Sequence, residues 1–389
     1  MKGNLEKRGE RGRRRRIDDR RWRIARRFEN KGYPRSSILN PRSLNHLPFA
    51  LSIALLLALA GVAASPLRAQ PLERYAYSRA QMGTAFNIVL YAPDSVLAQR
   101  AADAAFARID TLNQHLSDYL ADSELSRLSA TAGQGQAVPV SDDLWAVLMA
   151  AQRMAEQTGG AFDVTVGPLT RLWRWAMRRD RLPPEDRLAH ARQAVGYRHL
   201  VLDSLAHTVS LKKLEMGLDL GGIAKGFAVD EALAVLQAFG LTRVLIDGGG
   251  DLRLGDPPPG KKGWRIEVSR VNADGERVQE ERFLARKAVA TSGATYRYVE
   301  VDGVRYSHLL DPRTGMGLTD ERLVTVIAPT GMQADALASA LSVLGPDDGL
   351  AFAAGLPEVA ARFILGKAEG YHQRQSPTFE AFFVSSAGD

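Results

Sequence analysis

The chain after residue 70 mixes two hydrophobic periods in an irregular order. The segment "GTAFNIVLYA" (83–92) alternates like a strand, and a later pair of strand patterns is joined at Asp302-Gly303, which suits a tight hairpin turn. Helical spacing of apolar residues covers 96–116, 141–158 and 333–345. Because strands and helices do not alternate regularly, the sequence predicts an α+β fold, with a single compact mixed α/β unit over residues 70–389.

Local signals mark where several helices begin and end. "DSELSRL" is predicted to start a helix capped by Asp122 or Ser123. A further helix, Ser141 to Thr158, is predicted to end at Gly159-Gly160. The long polar helical segment that follows is broken at Pro183-Pro184. These signals set element boundaries but do not say how the elements pack.

The first 46 residues hold most of the positive charge. They carry sixteen Lys or Arg against five Asp or Glu, a net charge of +11, so the remaining residues carry −4 of the whole chain's +7. The basic charge therefore belongs to a leader. After the leader we find no basic stripe with interleaved aromatic residues, so the sequence predicts no nucleic-acid partner.

An uncharged apolar run, Leu47–Ala64, follows the basic leader. It is typical of a secretory signal, with cleavage expected after Ala64 or Ala69. The alternative is an uncleaved membrane anchor, since about 18 apolar residues is near the lower limit for a spanning helix. We therefore predict that residues 1–69 form a basic leader with a signal peptide or anchor, and that the protein is exported.

The chain contains no cysteine. This excludes disulfides, thiolate metal sites, cysteine nucleophiles and lipid attachment to an N-terminal cysteine.

"DLGGIAKG", Asp219 to Gly226, indicates a strand end turning into a helix. Free N–H groups and the dipole at a helix start suit a phosphate, and Lys225 could add charge. The segment matches neither a Walker loop nor the GxGxxG fingerprint. Taken alone, it could equally be a glycine turn chosen for packing, with Lys225 in solvent.

Three further segments strengthen the functional interpretation. "DGGGD" (247–251) is a second glycine-dense strand exit, and "SHLLDPRTG" (307–315) presents a His, an Asp and an Arg around a proline turn. Asp335 and Ser339 lie four residues apart and so share one helical face. A carboxylate and a hydroxyl there, with a loop carbonyl, are hard oxygen ligands of the kind Mg²⁺ prefers. Alone, the pair is more often a helix cap and a small packing residue.

These residues belong to a set of segments that resembles the FAD:protein FMN transferases, the ApbE family. The resemblance covers roughly Tyr77 to Gly345. The matching segments, in family order, are "MGTAF", "SDYLADSELSRL", "GGAFDVTVGPL", "LDLGGIAKGFAVD", "VLIDGGGD", "ATSG", "HLLDPRTG" and "VIAPTGMQADALASALSVLG".

The resemblance implies an exported, Mg²⁺-dependent flavin transferase, periplasmic or held at the outer face of the inner membrane. Such an enzyme attaches the FMN half of FAD through a phosphoester to a threonine or serine hydroxyl and releases AMP. Its targets would be flavoprotein subunits of membrane redox pumps.

The resemblance also implies roles for individual residues. His308 and Lys225 would be catalytic, with His308 the proton acceptor for the incoming hydroxyl. The FAD site would be lined by Met82, Tyr119, Ala161, Phe162, Asp163, Asp219, Lys225, His308 and Leu309. The metal ligands would be the Gly222 carbonyl, Asp335 and Ser339, where Ser339 stands at a position often threonine in the family.

Other interpretations of these residues remain open from the sequence. Tyr119 and Phe162 could be core aromatics, and His308 could cap a strand. Nothing in the sequence separates a transferase from a metal-dependent FAD pyrophosphatase, because water and a hydroxyl would use the same base and metal. A third alternative is an exported flavin carrier without turnover, against which Asp335 and Ser339 argue.

Overall fold

A computed structural model describes residues 71–293, 298–367 and 369–385 of the protein. The predicted leader and the apolar segment Leu47–Ala64 lie outside these residues. Within the described ranges, no helix is both long enough and apolar enough to cross a membrane.

The central element is an eight-stranded sheet in which every neighbouring pair is antiparallel. Its strands, in spatial order, are Glu73–Gln81 (β1), Thr84–Ala92 (β2), Val244–Gly248 (β6), Leu252–Leu254 (β7), Ala288–Gly293 (β10), Arg322–Ala328 (β13), Ala360–Lys367 (β14) and Gly370–Gln375 (β15). An antiparallel sheet with helices between its strands is an α+β arrangement, which confirms the fold class predicted from the sequence.

Three smaller sheets accompany it. They are formed by Val138–Pro139 (β3), Leu200–Asp203 (β4) and Thr208–Leu211 (β5); by Trp264–Val271 (β8) and Arg277–Leu284 (β9); and by Tyr298–Val301 (β11) and Val304–Ser307 (β12). The last pair turns at Asp302 and Gly303, both with positive φ, which confirms the predicted hairpin.

Eight α-helices lie within the described ranges. They are Ser95–Leu116 (α1), Glu124–Ser129 (α2), Asp142–Gln157 (α3), Gly167–Met177 (α4), Glu185–Gln193 (α5), Ala224–Ala238 (α6), Gly331–Leu344 (α7) and Pro346–Ala354 (α8). Of the two predicted caps, Ser123 is the one used: its Oγ accepts from the Ser126 N–H. Ser141 also caps a helix, since its Oγ accepts from the Leu144 N–H. The predicted break at Pro183-Pro184 separates α4 from α5.

The sheet is covered on both faces, because successive residues of a strand point to opposite sides. In β13, Val324 and Val326 belong to the large core shared with α1, α6 and α7, whereas Ile327 belongs to a second core with the β8–β9 hairpin. This double burial explains why "LVTVIAP" is apolar on both faces.

Helices α6 and α7 approach each other backbone to backbone. A Cβ added at Gly226 would lie 2.1 Å from the Gly331 carbonyl oxygen, and one at Gly331 would lie 2.4 Å from the Gly226 carbonyl oxygen. Only glycine permits this contact. Asp230 accepts hydrogen bonds from the backbone N–H groups of Gly331 and Met332 and so ties the start of α7 to α6.

One expectation from the sequence is corrected. "DLGGIAKG" does not continue a strand, since only Gly217 forms an isolated bridge, with Val166. The chain turns at once because the Asp219 carboxylate accepts from the Gly221 N–H. The turn at Pro183-Pro184 also folds α5 back toward α4, which places the Arg187 guanidinium 5.2 Å from the centroid of the Trp175 ring.

Candidate active site

Lys225 lies in the first turn of α6 between two buried carboxylates. Its Nζ contacts the Asp251 carboxylate and is 3.6 Å from Asp335 Oδ2. Asp251 follows the glycine-dense exit of β6, and Asp335 lies in the second turn of α7. Both carboxylates are about 5% exposed, whereas the Lys225 side chain is 29% exposed. Three elements distant in sequence therefore place one cation between two anions.

The charges of this group are strongly coupled. Burial acts to lower the pKa of Lys225, but the charges of Asp335 and Asp251 outweigh it and raise the pKa above its usual range. Burial, followed by repulsion from Asp335, raises the pKa of Asp251 to about 7 despite the attraction of Lys225. Lys225 is thus a fixed positive charge, and the site has one carboxylate more than it can neutralise.

The three residues predicted to hold a metal converge beside this group. A Cβ added at Gly222 would lie 2.8 Å from Ser339 Oγ, so the loop backbone packs directly against that hydroxyl. Ser339 is one helical turn after Asp335, whose Oδ2 accepts from the Gly226 N–H at 3.1 Å. A carboxylate and a hydroxyl one helical turn apart, with the backbone of the Gly222 loop packed against the hydroxyl, are oxygen donors that fit a hard divalent cation.

Across the described ranges, no group of three or more His, Cys, Asp or Glu side chains is arranged to hold a metal ion. A cation at Asp335 would therefore use one carboxylate together with neutral oxygens. This donor set is the one that the sequence predicts, and it suits Mg²⁺, which keeps several of its waters.

Arg174 joins two of the predicted FAD-site residues. Its Nη2 is 2.8 Å from Asp219 Oδ2, its Nη1 is 2.5 Å from Asp118 Oδ2, and its guanidinium lies 4.3 Å from the centroid of the Tyr119 ring. Burial, followed by repulsion from Asp219, raises the pKa of Asp118. Tyr119 itself is 73% exposed, so it is not a core aromatic and can offer a ring face to a ligand.

Arg174 and Asp118 were missed by reasoning from the sequence. Asp118 lies inside the matched segment "SDYLADSELSRL", which was the only available signal. Arg174 shares α4 with Arg171 and is followed closely by Arg178, Arg179 and Arg181, and nothing in its spacing distinguishes it from them.

The segment Ala161–Asp163 packs against the loop that carries Gly222. Phe162 is buried, and its Cε2 would lie 3.4 Å from a Cβ at Gly222. The Asp163 carboxylate accepts from Thr165 N and Oγ1 and from Tyr197 N. Its burial raises its pKa, and these hydrogen bonds act against that rise. Asp163 therefore fixes local backbone, whereas Phe162 faces the loop that carries Gly222.

The remaining predicted residues lie on other segments. Met82, with φ 47°, forms the turn between β1 and β2 and is half-buried against the large core. His308 is exposed directly after β12, and Ser307 Oγ accepts from the Leu309 N–H at 3.0 Å. The contacts described above unite Phe162, Asp219 and the Lys225 group. That Met82, His308 and Leu309 line the same site remains a prediction.

Two surface cavities flank α5. One, of about 490 Å³, is lined by residues that include Asp163, Arg192 and Arg313, and another, of about 540 Å³, by residues that include Arg171 and Met216. Neither of these two is lined by Lys225, Asp335 or Ser339. The candidate site is therefore identified by its charges and oxygen donors.

Comparisons with known proteins identify the family of the chain. The ApbE family matches residues 82–363. An FAD:protein FMN transferase of Vibrio cholerae is 33% identical over 336 residues, 85% of this chain and 98% of that protein. The solved structure of the flavin transferase ApbE from Vibrio cholerae has a TM-score of 0.72 and 33% identity, covering 80% of this chain and 100% of that one. The apo flavinyl transferase ApbE of Pseudomonas stutzeri has a TM-score of 0.71 and 30% identity, covering 83% and 100%. The chain therefore belongs to the ApbE family.

Proposed function

We propose that this protein is an Mg²⁺-dependent FAD:protein FMN transferase that attaches FMN through a phosphoester to a threonine or serine hydroxyl of an acceptor protein and releases AMP. Relatives over most of the chain carry the name FAD:protein FMN transferase. The observation on which the proposal rests is the convergence of Lys225, Asp335, Ser339 and Gly222 at the start of α6.

The reaction exchanges one phosphoester bond for another. The acceptor oxygen attacks the phosphorus on the FMN side of the pyrophosphate, the bond from that phosphorus to the oxygen of the AMP phosphate breaks, and the hydroxyl proton passes to a base. Negative charge grows on the leaving AMP phosphate, and the ammonium of Lys225 is placed to neutralise it. Its raised pKa keeps Lys225 charged at any physiological pH.

Asp335, Ser339 and the Gly222 carbonyl would hold the Mg²⁺. When bound, the ion would neutralise phosphate oxygens and make the phosphorus a better electrophile. The hydrogen bond from the Gly226 N–H and the proximity of Lys225 orient the Asp335 carboxylate toward this role.

The flavin and the base are assigned to other residues. Tyr119 offers an exposed ring, held by Arg174, against which the isoalloxazine or adenine ring could stack. His308 would accept the hydroxyl proton, because an imidazole of near-neutral pKa suits an alcohol nucleophile. We further propose that the apolar segment Leu47–Ala64 directs export, so that the enzyme works in the periplasm or at the outer face of the inner membrane on redox-pump subunits.

Intact-mass spectrometry tests this function directly. The purified full-length chain is mixed with FAD, Mg²⁺ and a threonine-bearing acceptor from a redox-pump subunit, with an acceptor carrying valine in place of that threonine as the control. We expect the first acceptor alone to gain the mass of one FMN moiety, and the gain to disappear with EDTA. FMN and AMP accumulating in solution without any modified acceptor would instead establish a pyrophosphatase.

A further inference from the structure

The glycine-dense loop between β6 and β7, Asp247 to Asp251, ends in a buried carboxylate. Gly249 and Gly250 have φ values of 70° and 99°, in the region that favours glycine. The Gly248 N–H donates to the Asp251 carbonyl oxygen at 2.9 Å. The Gly250 N–H donates to Asp247 Oδ1 at 2.8 Å. These two hydrogen bonds close the loop on itself and fix the backbone of Asp251, a residue that is 5% exposed.

The same loop is fastened to β2. Asp247 Oδ2 accepts from the side-chain amide of Asn87 at 3.1 Å. A Cβ added at Gly249 would lie 2.4 Å from Thr84 Oγ1, so the loop packs directly against the start of that strand. The two strands that the loop joins are themselves paired in the central sheet. The position of Asp251 is therefore set by the sheet and does not depend on its partner in the active site.

The ammonium of Lys225 pairs more closely with Asp251 than with Asp335. Its Nζ contacts Asp251 Oδ2 directly, whereas it lies 3.6 Å from Asp335 Oδ2, a separation longer than a hydrogen bond. Asp335 Oδ2 instead accepts from the Gly226 backbone N–H at 3.1 Å. Because lysine carries its charge on a flexible four-carbon stem, Lys225 could turn to Asp335 if the contact with Asp251 were removed.

A lysine paired directly with Asp335 would compete with a metal ion for the same carboxylate. Asp335 is the one charged donor of the predicted set, whose other members are the Ser339 hydroxyl and the Gly222 carbonyl. An ammonium hydrogen-bonded to Asp335 would occupy a lone pair of its oxygen and cancel the charge that attracts the ion. The direction in which Lys225 pairs therefore decides whether Asp335 is available as a ligand.

We propose that Asp251 is a positioning residue that holds the Lys225 ammonium off Asp335 and thereby leaves the Asp335 carboxylate free for the divalent cation. The inference rests on the proposed function, because it assigns a task at the metal site of that function. A carboxylate that only balanced the charge of a partly buried lysine would affect stability when replaced. It would not change metal affinity in a way that depends on Lys225.

Metal binding without turnover tests this role. The full-length protein in uncharged detergent is titrated with Mn²⁺, which takes the same oxygen ligands as Mg²⁺ and whose free ion is measured by electron paramagnetic resonance. Wild type, Asp251→Asn, Lys225→Met and the combined variant form a double-mutant cycle. Asp247→Asn is the matched control, since it removes a carboxylate from the same loop that accepts from Gly250 and Asn87 instead.

We expect Asp251→Asn to weaken Mn²⁺ binding roughly 10-fold in the presence of Lys225, and by less than about 3-fold when Lys225 is already Met. Asp247→Asn should change the affinity by less than about 2-fold. Equal weakening in both backgrounds would overturn the proposal, because Asp251 would then act through its own charge. Wild-type affinity in Asp251→Asn would also overturn it. If Asp251→Asn does not fold, Asp251→Ser removes the same charge and takes its place in the cycle.

Metal binding and FMN transfer are scored separately. The expected cycle without any FMN transfer in the intact-mass assay would support the positioning role and contradict the proposed function. Loss of Mn²⁺ binding in Asp335→Asn, with no effect of Asp251→Asn, would support the metal site and contradict the positioning role. A wild type that binds no Mn²⁺ would overturn the metal site and the positioning role together.

Discussion

Asp335 Oδ2 accepts a hydrogen bond from the backbone N–H of Gly226, with 3.1 Å between the two atoms. This bond joins α7 to the first turn of α6 at the point where the helices touch backbone to backbone. The same carboxylate lies 3.6 Å from Lys225 Nζ. One residue therefore couples the packing of two helices to the charge of the candidate active site.

Replacing Asp335 by Asn should separate these two tasks. The amide oxygen can still accept from the Gly226 N–H, so we expect a nearly unchanged melting temperature and retained FAD binding. Loss of the anionic ligand should lower Mg²⁺-dependent turnover by roughly 100-fold or more. Rates as a function of Mg²⁺ concentration test this. Asp348→Asn, at an exposed position in α8, is the control, and a wild-type rate for Asp335→Asn would remove Asp335 from the site.

Replacing Lys225 by Met should destabilise the protein as well as inactivate it. Asp251 and Asp335 would then remain buried without their cation, which we expect to cost about 2–3 kcal/mol of unfolding free energy. Urea denaturation at pH 7 measures the loss. Lys287→Met is the matched control, since Lys287 pairs with the exposed Glu358 and its loss should cost less than about 1 kcal/mol. Equal losses in the two variants would contradict the described charge coupling.

Replacing Gly226 by Ala should force α6 and α7 apart. The new methyl group would lie 2.1 Å from the Gly331 carbonyl oxygen and 2.8 Å from Asp335 Cβ. We expect a loss of about 2–3 kcal/mol from overpacking, together with reduced turnover because Asp335 must move. Gly355→Ala is the control, since its nearest neighbour would be 3.5 Å away. A stable and fully active Gly226→Ala protein would be incompatible with the described helix contact.

Replacing His308 by Ala should lower transfer about 100-fold while FAD affinity changes little. The wild-type rate should fall at acid pH as the imidazole becomes protonated, and the variant should lack that dependence. Pre-steady-state transfer rates from pH 5 to 8, beside His190→Ala as a control at another exposed histidine, provide the comparison. A pH profile that survives in His308→Ala would point to another base.

Asp143 should make stability depend on acid pH. The hydrogen bond from Arg108 lowers its pKa despite partial burial, and His115 lowers the pKa further. A carboxylate with a lowered folded-state pKa stabilises the protein above its unfolded pKa of about 3.9, and this contribution is lost as pH falls through the folded value.

Asp143→Asn should therefore be less stable by about 1–2 kcal/mol at pH 7 and should lose less stability below pH 4. Urea melts between pH 2.5 and 7 measure this. Asp142→Asn is the control for the helix dipole, because Asp142 is exposed and lies one residue earlier in the same helix turn. If the free energy of unfolding depends on pH in the same way in both variants, Asp143 is not the source of the acid dependence.

Sequence patterns predicted most of the helices and strands, because the spacing of apolar residues along a segment indicates which of its faces is buried. Four strands of the central sheet were missed, namely β1, β7, β14 and β15. The strand β7 is only three residues long and comes directly after the glycine-dense segment. The "ERYAYSRAQ" of β1 and the "GYHQRQ" of β15 lie at the sheet edges, where a strand needs no continuous apolar face. In β14, Arg362 interrupts the apolar run, so the pattern does not indicate a buried strand. Arg362 is nevertheless only 2% exposed, and its guanidinium forms an ion pair with Glu380.

By itself, the sequence determined the fold class, the helix caps, the hairpin at Asp302-Gly303 and the family, since each depends on neighbouring residues or on an ordered set of motifs. Only the tertiary structure decided that Lys225 lies between Asp251 and Asp335, that Arg174 holds Asp219 and Tyr119, and that Arg187 returns to Trp175. These relationships join residues up to 110 positions apart, as Lys225 and Asp335 show. The free energies of these contacts depend on how deeply each charged group is buried and on which other charges lie near it. Neither can be read from the residues next to it in the sequence.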